Sequence, residues 1–111
     1  MVKRTFPHQG EVWLFALDAT RGSEIQKTRP CVIVSPDVLN ARLKTVLVVP
    51  MTSGGFDAPF RPKIQFHGRD GLLLPDQMRA VDRMRVVKRL GRIDPSALSA
   101  LLGILREMFD Q

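Results

Sequence analysis

Asp18 to Ser35 reads DATRGSEIQKTRPCVIVS, and the reading of this stretch decides the fold. A polar, Gly-containing loop, Thr20 to Thr28, delivers the guanidinium of Arg29 to the mouth of an apolar run. Pro30 has a fixed φ and no N–H, so it suits the first position of a strand and biases Arg29 towards an extended backbone. Cys31-Val32-Ile33-Val34 then has the length and β-branching of a buried strand. A charged group held at the end of a rigid strand can be aimed.

Strand signals continue on both sides of this segment. Gly10 to Asp18 alternates Val12, Leu14 and Ala16 with Trp13, Phe15 and Leu17, so a first strand here would be apolar on both faces. Ser35 to Asn40 predicts a short helix with Ser35 as cap and Pro36 at the first helical position. Lys44 to Pro50 predicts a third strand, and Met51 to Phe60 a polar, Gly-rich loop. Arg61 to Phe66 alternates again, Gly68-Arg69-Asp70-Gly71 signals a turn, and Leu72 to Leu74, Gln77 to Val81 and Val86 to Ile93 extend the sheet. Asp94 and Pro95 open a last helix, with Asp94 at the N-cap, along which Leu98, Leu101, Leu102, Leu105, Met108 and Phe109 form one apolar stripe. Many short strands with few helices predict a mainly β fold, a small curved antiparallel barrel with short helical insertions and a C-terminal amphipathic helix.

The 111 residues suffice for one modest core, so residues 1–111 are expected to form a single domain. No apolar run approaches the ~20 residues that cross a bilayer, and the basic N-terminus lacks the apolar segment of a secretion signal. Cys31 is the single cysteine, which excludes an intrachain disulfide and fits a reducing cytoplasm. Lys and Arg number 17 against 11 Asp and Glu, a net charge of +6. Most of the excess lies between Arg79 and Arg92, where Arg79, Arg83, Arg85, Lys88, Arg89 and Arg92 face one acid, Asp82. Such a stripe suits either a solvated face or a polyanionic partner.

His8 and His67 stand alone, and no H-x-x-x-H, C-x-x-C, G-x-S-x-G or phosphate-loop pattern occurs, so neither metal-dependent nor serine hydrolysis is expected. RNA offers a route that needs neither, because its 2′-hydroxyl is the nucleophile. The protein then supplies orientation, positive charge on the phosphate oxygens, and proton transfer. Arg29 is the first candidate to hold the phosphate, since a guanidinium presents a planar fork of donors and stays charged. Phe56, Pro59 and Phe60 either stack unpaired bases or anchor their loop.

The ordered set E-x-W-x-x-x-L-D (from Glu11), T-R-G-S-E (Thr20 to Glu24), K-T-R-P (Lys27 to Pro30), V-V-P-M-T-S (Val48 to Ser53) and D-Q-M-R (from Asp76) resembles the MazF/PemK family of toxin endoribonucleases. The resemblance runs from about Gly10 to Ile93 and implies an SH3-like barrel of the MazF/PemK/CcdB type, usually a homodimer. It puts the family's catalytic arginine at Arg29 and its catalytic threonine at Thr52, and in some members a carboxylate at the position of Asp76. The relatives that use that carboxylate carry a His at the position of Ser23 and an Arg at that of Leu74, which leaves Asp76 a second-rank candidate. Glu24 is the other second-rank acid, as a proton acceptor, a base-reading contact or an orienter of Arg29. Lys27, Thr28, Ser53, Phe56, Gln77, Arg79 and Arg85 complete the candidate RNA contacts, with Gln77 and Arg79 two residues apart on one strand face. The activity implied is metal- and cofactor-independent cleavage of single-stranded RNA at short motifs, leaving 2′,3′-cyclic phosphate and 5′-hydroxyl ends. The implied partner is an acidic antitoxin of a type II toxin–antitoxin system whose disordered tail covers the basic groove. A toxin of the same fold that poisons a topoisomerase, and a non-catalytic RNA-binding barrel, are the alternatives.

Overall fold

The computed structural model describes residues 6–17 and 27–111. Ser23 and Glu24, with the rest of 18–26, lie outside the described residues. Seven strands follow one another as β1 (Glu11–Ala16), β2 (Thr28–Ile33), β3 (Thr45–Thr52), β4 (Lys63–Phe66), β5 (Arg69–Leu73), β6 (Arg79–Asp82) and β7 (Val86–Arg92). A short helix α1 (Asp37–Asn40) links β2 to β3, and α2 (Pro95–Met108) ends the chain. All pairings are antiparallel, in the order β4-β5-β3-β2-β1-β7, with β6 added to β3. The result is the expected mainly β architecture, a strongly curled sheet with a C-terminal helix.

The curl follows from β3. Thr45 to Val48 pair with β6, whereas Met51 and Thr52 pair with β5, so one strand serves two ladders. Pro50, which has no N–H to donate, sits at the switch, and its carbonyl accepts from Leu74 N–H at 2.9 Å. Two register shifts between β1 and β7 bend the other side.

Alternation along β2 divides the interior in two. Val32 and Val34 join Val12, Val49, Met51, Leu73 and Ile93 beneath α2, whose Leu101 and Leu105 close that cluster. Cys31 and Ile33 point the other way, into a cluster with Phe15, Leu17, Val46, Val48 and Val81. An apolar run buried on both faces therefore needs both layers. The α2 stripe is covered only in its first part, since Phe109 is 70% exposed.

Four sequence expectations are corrected. Ser35 does not cap α1; Pro36 occupies the cap position without a side-chain bond. The Ser35 hydroxyl instead bonds buried Asn40 and accepts from Leu47 N–H, holding α1 to β3. Strand β3 runs on through Met51 and Thr52, because β5 offers it a second partner. The β4–β5 turn lies at His67-Gly68, with φ of 52° and 76°, so Arg69 and Asp70 are strand residues paired with Phe66 and Gln65. Two positive φ values in a two-residue turn match the twist of the flanking strands. Gln77 lies in a 3₁₀ turn, Pro75–Gln77, and not on the strand of Arg79.

Candidate active site

β2 and β3 pair as Cys31 with Pro50, Val32 with Val49 and Ile33 with Val48. Continued by two residues, that register sets Arg29 across from Thr52. Opposed residues of neighbouring antiparallel strands present side chains to one face. Arg29 and Thr52 do line one cleft of about 540 Å³, together with Thr28, Ser53, His67 and Arg69. Both are half-buried, open to solvent yet held by the sheet.

Each wall of the cleft has a local cause. Thr52 ends β3, and its Oγ1 accepts from Gly54 N–H at 3.2 Å. That turn orients the hydroxyl and leaves its proton free to donate. Gly71 on β5 lies against Thr52 so closely that a Cβ there would meet the Thr52 carbonyl oxygen at 2.7 Å. His67 stacks on Phe66, ring centroids 4.0 Å apart. Among the described residues, no carboxylate bonds Arg29. Its charge also reaches Cys31, whose thiol is pushed up to about 12 by burial, with Arg29 and Arg79 acting in the opposite direction.

Asp76 does not line this cleft. Its carboxylate receives both ends of a guanidinium fork, Arg61 Nε to Oδ1 at 3.1 Å and Arg61 Nη2 to Oδ2 at 2.7 Å. Those bonds hold the Asp76 carboxyl below its ordinary range. Arg61, two residues before β4, is itself only 8% exposed, a buried arginine that alternation over Arg61 to Phe66 does not single out. Phe56 has its ring 4.3 Å from the Arg61 guanidinium carbon while remaining 66% exposed.

The basic stripe divides. Arg83 Nη1 donates to the carbonyls of Asn40 and Leu43, and Arg85 Nη1 to those of Ala16 and Leu17. Arg89 Nε donates to Glu11 at 2.9 Å. Burial pushes the Glu11 carboxyl up, but bonds from His8 N–H, Trp13 and Arg89 outweigh it and hold the group below its usual range. Arg85 thus staples the end of β1. Arg79, Lys88 and Arg92 remain exposed, as do Lys27, Thr28, Ser53 and Gln77. The sequence signal overlooked His67 and Arg69, because only the position of the β4–β5 turn brings them to the cleft.

A curled antiparallel sheet closed by a C-terminal helix places the chain in a class of small, half-barrel β proteins. A model of the PemK-like, MazF-like toxins of type II toxin–antitoxin systems matches residues 8–109. The chain belongs to that family. It is 39% identical over 103 residues to the endoribonuclease PemK of Escherichia coli, covering 87% of this chain and 77% of that protein. It is 32% identical over 102 residues to the endoribonuclease toxin MazF of Escherichia coli K12, covering 91% and 92%. The crystal structure of MazF from Deinococcus radiodurans superposes with a TM-score of 0.79 at 25% identity, over 95% of this chain and 97% of that one. A MazE–MazF structure from the same organism also matches at 0.79 and 25% identity, over 92% and 94%. No helix among the described residues is long and apolar enough to cross a membrane.

Proposed function

We propose that this toxin is an endoribonuclease that cuts single-stranded RNA without a metal. The observation that carries the reading is the cleft shared by Arg29 and Thr52, open to solvent and flanked by Arg69. The 2′-hydroxyl attacks the adjacent phosphorus, the bond to the 5′-oxygen breaks, and the products carry a 2′,3′-cyclic phosphate and a 5′-hydroxyl. Negative charge builds on the non-bridging oxygens during this step. The Arg29 fork meets that charge, a role for which a permanently charged, planar donor is suited. Thr52 donates its hydroxyl to a phosphate oxygen or holds the 2′-hydroxyl in line. The proton leaves the 2′-oxygen and another reaches the 5′-oxygen; Glu24 is one candidate for this transfer. Lys27, Thr28, Ser53, Phe56, Gln77 and Arg79 extend the groove for the strand on either side, with Arg85 supporting it from the end of β1.

The partners follow from the same surface. Relatives named endoribonucleases, and a MazE–MazF complex among the similar structures, support an acidic antitoxin that competes with RNA for the basic groove. The exposed end of the α2 stripe, Met108 and Phe109, suits contact with a second copy in a homodimer. All of this fits one domain working in the cytoplasm.

The test is incubation of the purified protein with a long unstructured RNA in EDTA, with both new ends mapped. Discrete cuts bearing cyclic phosphate and 5′-hydroxyl ends are expected. Intact RNA that the protein nonetheless binds would turn the reading to a non-catalytic barrel. Intact RNA without binding would turn it to a toxin that acts by protein contact.

A further inference from the structure

The loop from Ser53 to Pro62 has no strand or helix of its own, yet it borders the cleft on one side and a second hollow on the other. Ser53 lines both spaces; Gly54, Gly55 and Asp57 line the second, which holds about 670 Å³ and also touches Lys63 and Gln65. Something must fix this loop if the cleft edge is to keep its shape. Few backbone bonds do so: Arg61 N–H reaches Ala58 O at 2.9 Å, and Leu73 N–H reaches Pro62 O at 2.9 Å.

Side chains add to these: Gly54 N–H reaches Thr52 Oγ1 at 3.2 Å, Asp57 and Lys63 pair at the exposed surface at 3.6 Å, and the buried anchor is the Arg61 side chain. Its guanidinium lies under the loop, with Nη1 3.5 Å from the Phe56 carbonyl, the Phe56 ring at 4.3 Å and the Phe60 ring at 5.8 Å. A Cβ built on Gly55 would come within 3.9 Å of the same Nη1, so the loop backbone closes over the cation. The other edge of the guanidinium takes both oxygens of Asp76, in the turn before β6. A bidentate pair fixes orientation as well as distance.

We infer that Arg61 and Asp76 form a clamp that holds the Ser53–Phe60 loop against the cleft, and that Asp76 is a positioning residue and not the proton acceptor of the reaction. Both oxygens of Asp76 are occupied by a cation, and Asp76 is absent from the wall that carries Arg29 and Thr52. An acceptor for the 2′-hydroxyl proton must come within hydrogen-bond reach of it, whereas a clamp acts from behind. The catalytic half of this inference rests on the nuclease reading; the structural half does not.

The experiment compares Arg61→Ala, Asp76→Ala, Asp76→Asn and the double alanine variant with the full-length protein. Hydrogen exchange of the 53–60 amides reads the clamp, with β2 amides as the internal control for folding. Faster exchange in the loop, with β2 unchanged, is expected in all three alanine variants. Unchanged loop exchange in both single alanine variants overturns the clamp, whatever the protein does to RNA. Cleavage of a long single-stranded transcript reads the second half. Loosening a cleft edge costs on the order of 10- to 100-fold in turnover. Arg61→Ala, which also removes the contacts to Phe56 and Phe60, should lose at least as much as Asp76→Ala, and the double variant no more than Arg61→Ala, because Asp76 reaches the loop through Arg61. Asp76→Asn should keep the shape of the turnover–pH profile, since Asn still accepts from Arg61. A loss in Asp76→Asn far beyond that of Arg61→Ala, or a vanished acidic limb in its profile, would make Asp76 the acceptor and overturn the assignment. If the wild-type protein cuts no RNA, the nuclease reading fails and the exchange measurement alone decides the clamp.

Discussion

Arg29 and Arg61 are the same side chain in opposite circumstances. Arg29 stands at the end of β2 in an open cleft, where no carboxylate among the described residues bonds it. Arg61 is buried beneath a loop with its fork filled by Asp76 and a phenyl ring on its face. Among the described residues, the first guanidinium has no acid partner and the second is already satisfied. Residue type sets what a group can do, and surroundings set whether it is still free to do it. The same division runs from Arg79 to Arg92: Arg83 and Arg85, in the 3₁₀ turn between β6 and β7, and Arg89 on β7 bond the fold itself, whereas Arg79, Lys88 and Arg92 make no such side-chain bond among the described residues.

The contrast is broken or sharpened by substitution. Arg29→Ala should lower RNA cleavage on the order of 10²–10³-fold, the loss typical of one charge-stabilising donor, while the melting temperature holds. Arg29→Lys, which keeps the charge and loses the fork, should recover only part of that rate in single-turnover assays. A melting temperature that fell along with the rate would mean that Arg29, like Arg61, serves the fold.

A smaller effect is expected at the strand that supports Thr52. Gly71→Ala would press a methyl group to 2.7 Å from the Thr52 carbonyl oxygen, and backbone on both sides must move. The expected cost is about 1–3 kcal/mol in urea unfolding, accompanied by slower cleavage. Gly54→Ala, where nothing lies within 4 Å, is the control and should change stability little. Equal behaviour of the two variants would refute the close approach of β5 to Thr52.

The smallest effect is on pH dependence. The Arg61 bonds depress the Asp76 carboxyl, so the unfolded chain takes up the proton at a higher pH than the folded one. The stabilisation is therefore full above about pH 4, the unfolded value, and is lost as pH falls through the lower folded value. Arg61→Ala should flatten that part of the stability–pH curve, measured by urea unfolding at neutral and strongly acidic pH. Arg29→Ala should leave it as it was. An unchanged slope in Arg61→Ala would mean that Asp76 is not held by this partner in solution.

Much of this was legible beforehand. The strand at Cys31 to Val34 shows in four consecutive apolar residues, and α2 shows in the spacing of Leu98, Leu101, Leu102 and Leu105. Gly68 and Gly71 both read as turn residues in the sequence, yet the β4–β5 turn falls at His67-Gly68. Gly71 is in fact a strand glycine, required by the carbonyl it faces. Gln77 and Arg79 looked like strand neighbours, but Pro75 begins a 3₁₀ turn that separates them. Alternation over Arg61 to Phe66 says nothing of the burial of Arg61, since its partner lies 15 residues onward in another turn.

By itself, the sequence determined the class of fold, the strand that presents Arg29 and the ordered motifs of the toxin family. These are written in local periodicity, in proline's fixed φ and in short stretches of chain. Tertiary structure alone decided which cations are paired among the described residues. It brought Arg29 and Thr52 to one cleft, gave Arg61 to Asp76, and turned half of the basic stripe into staples. The physical reason is that ion pairs and cross-strand register depend on where distant segments meet, whereas helix and strand periodicity repeat within a few residues of themselves.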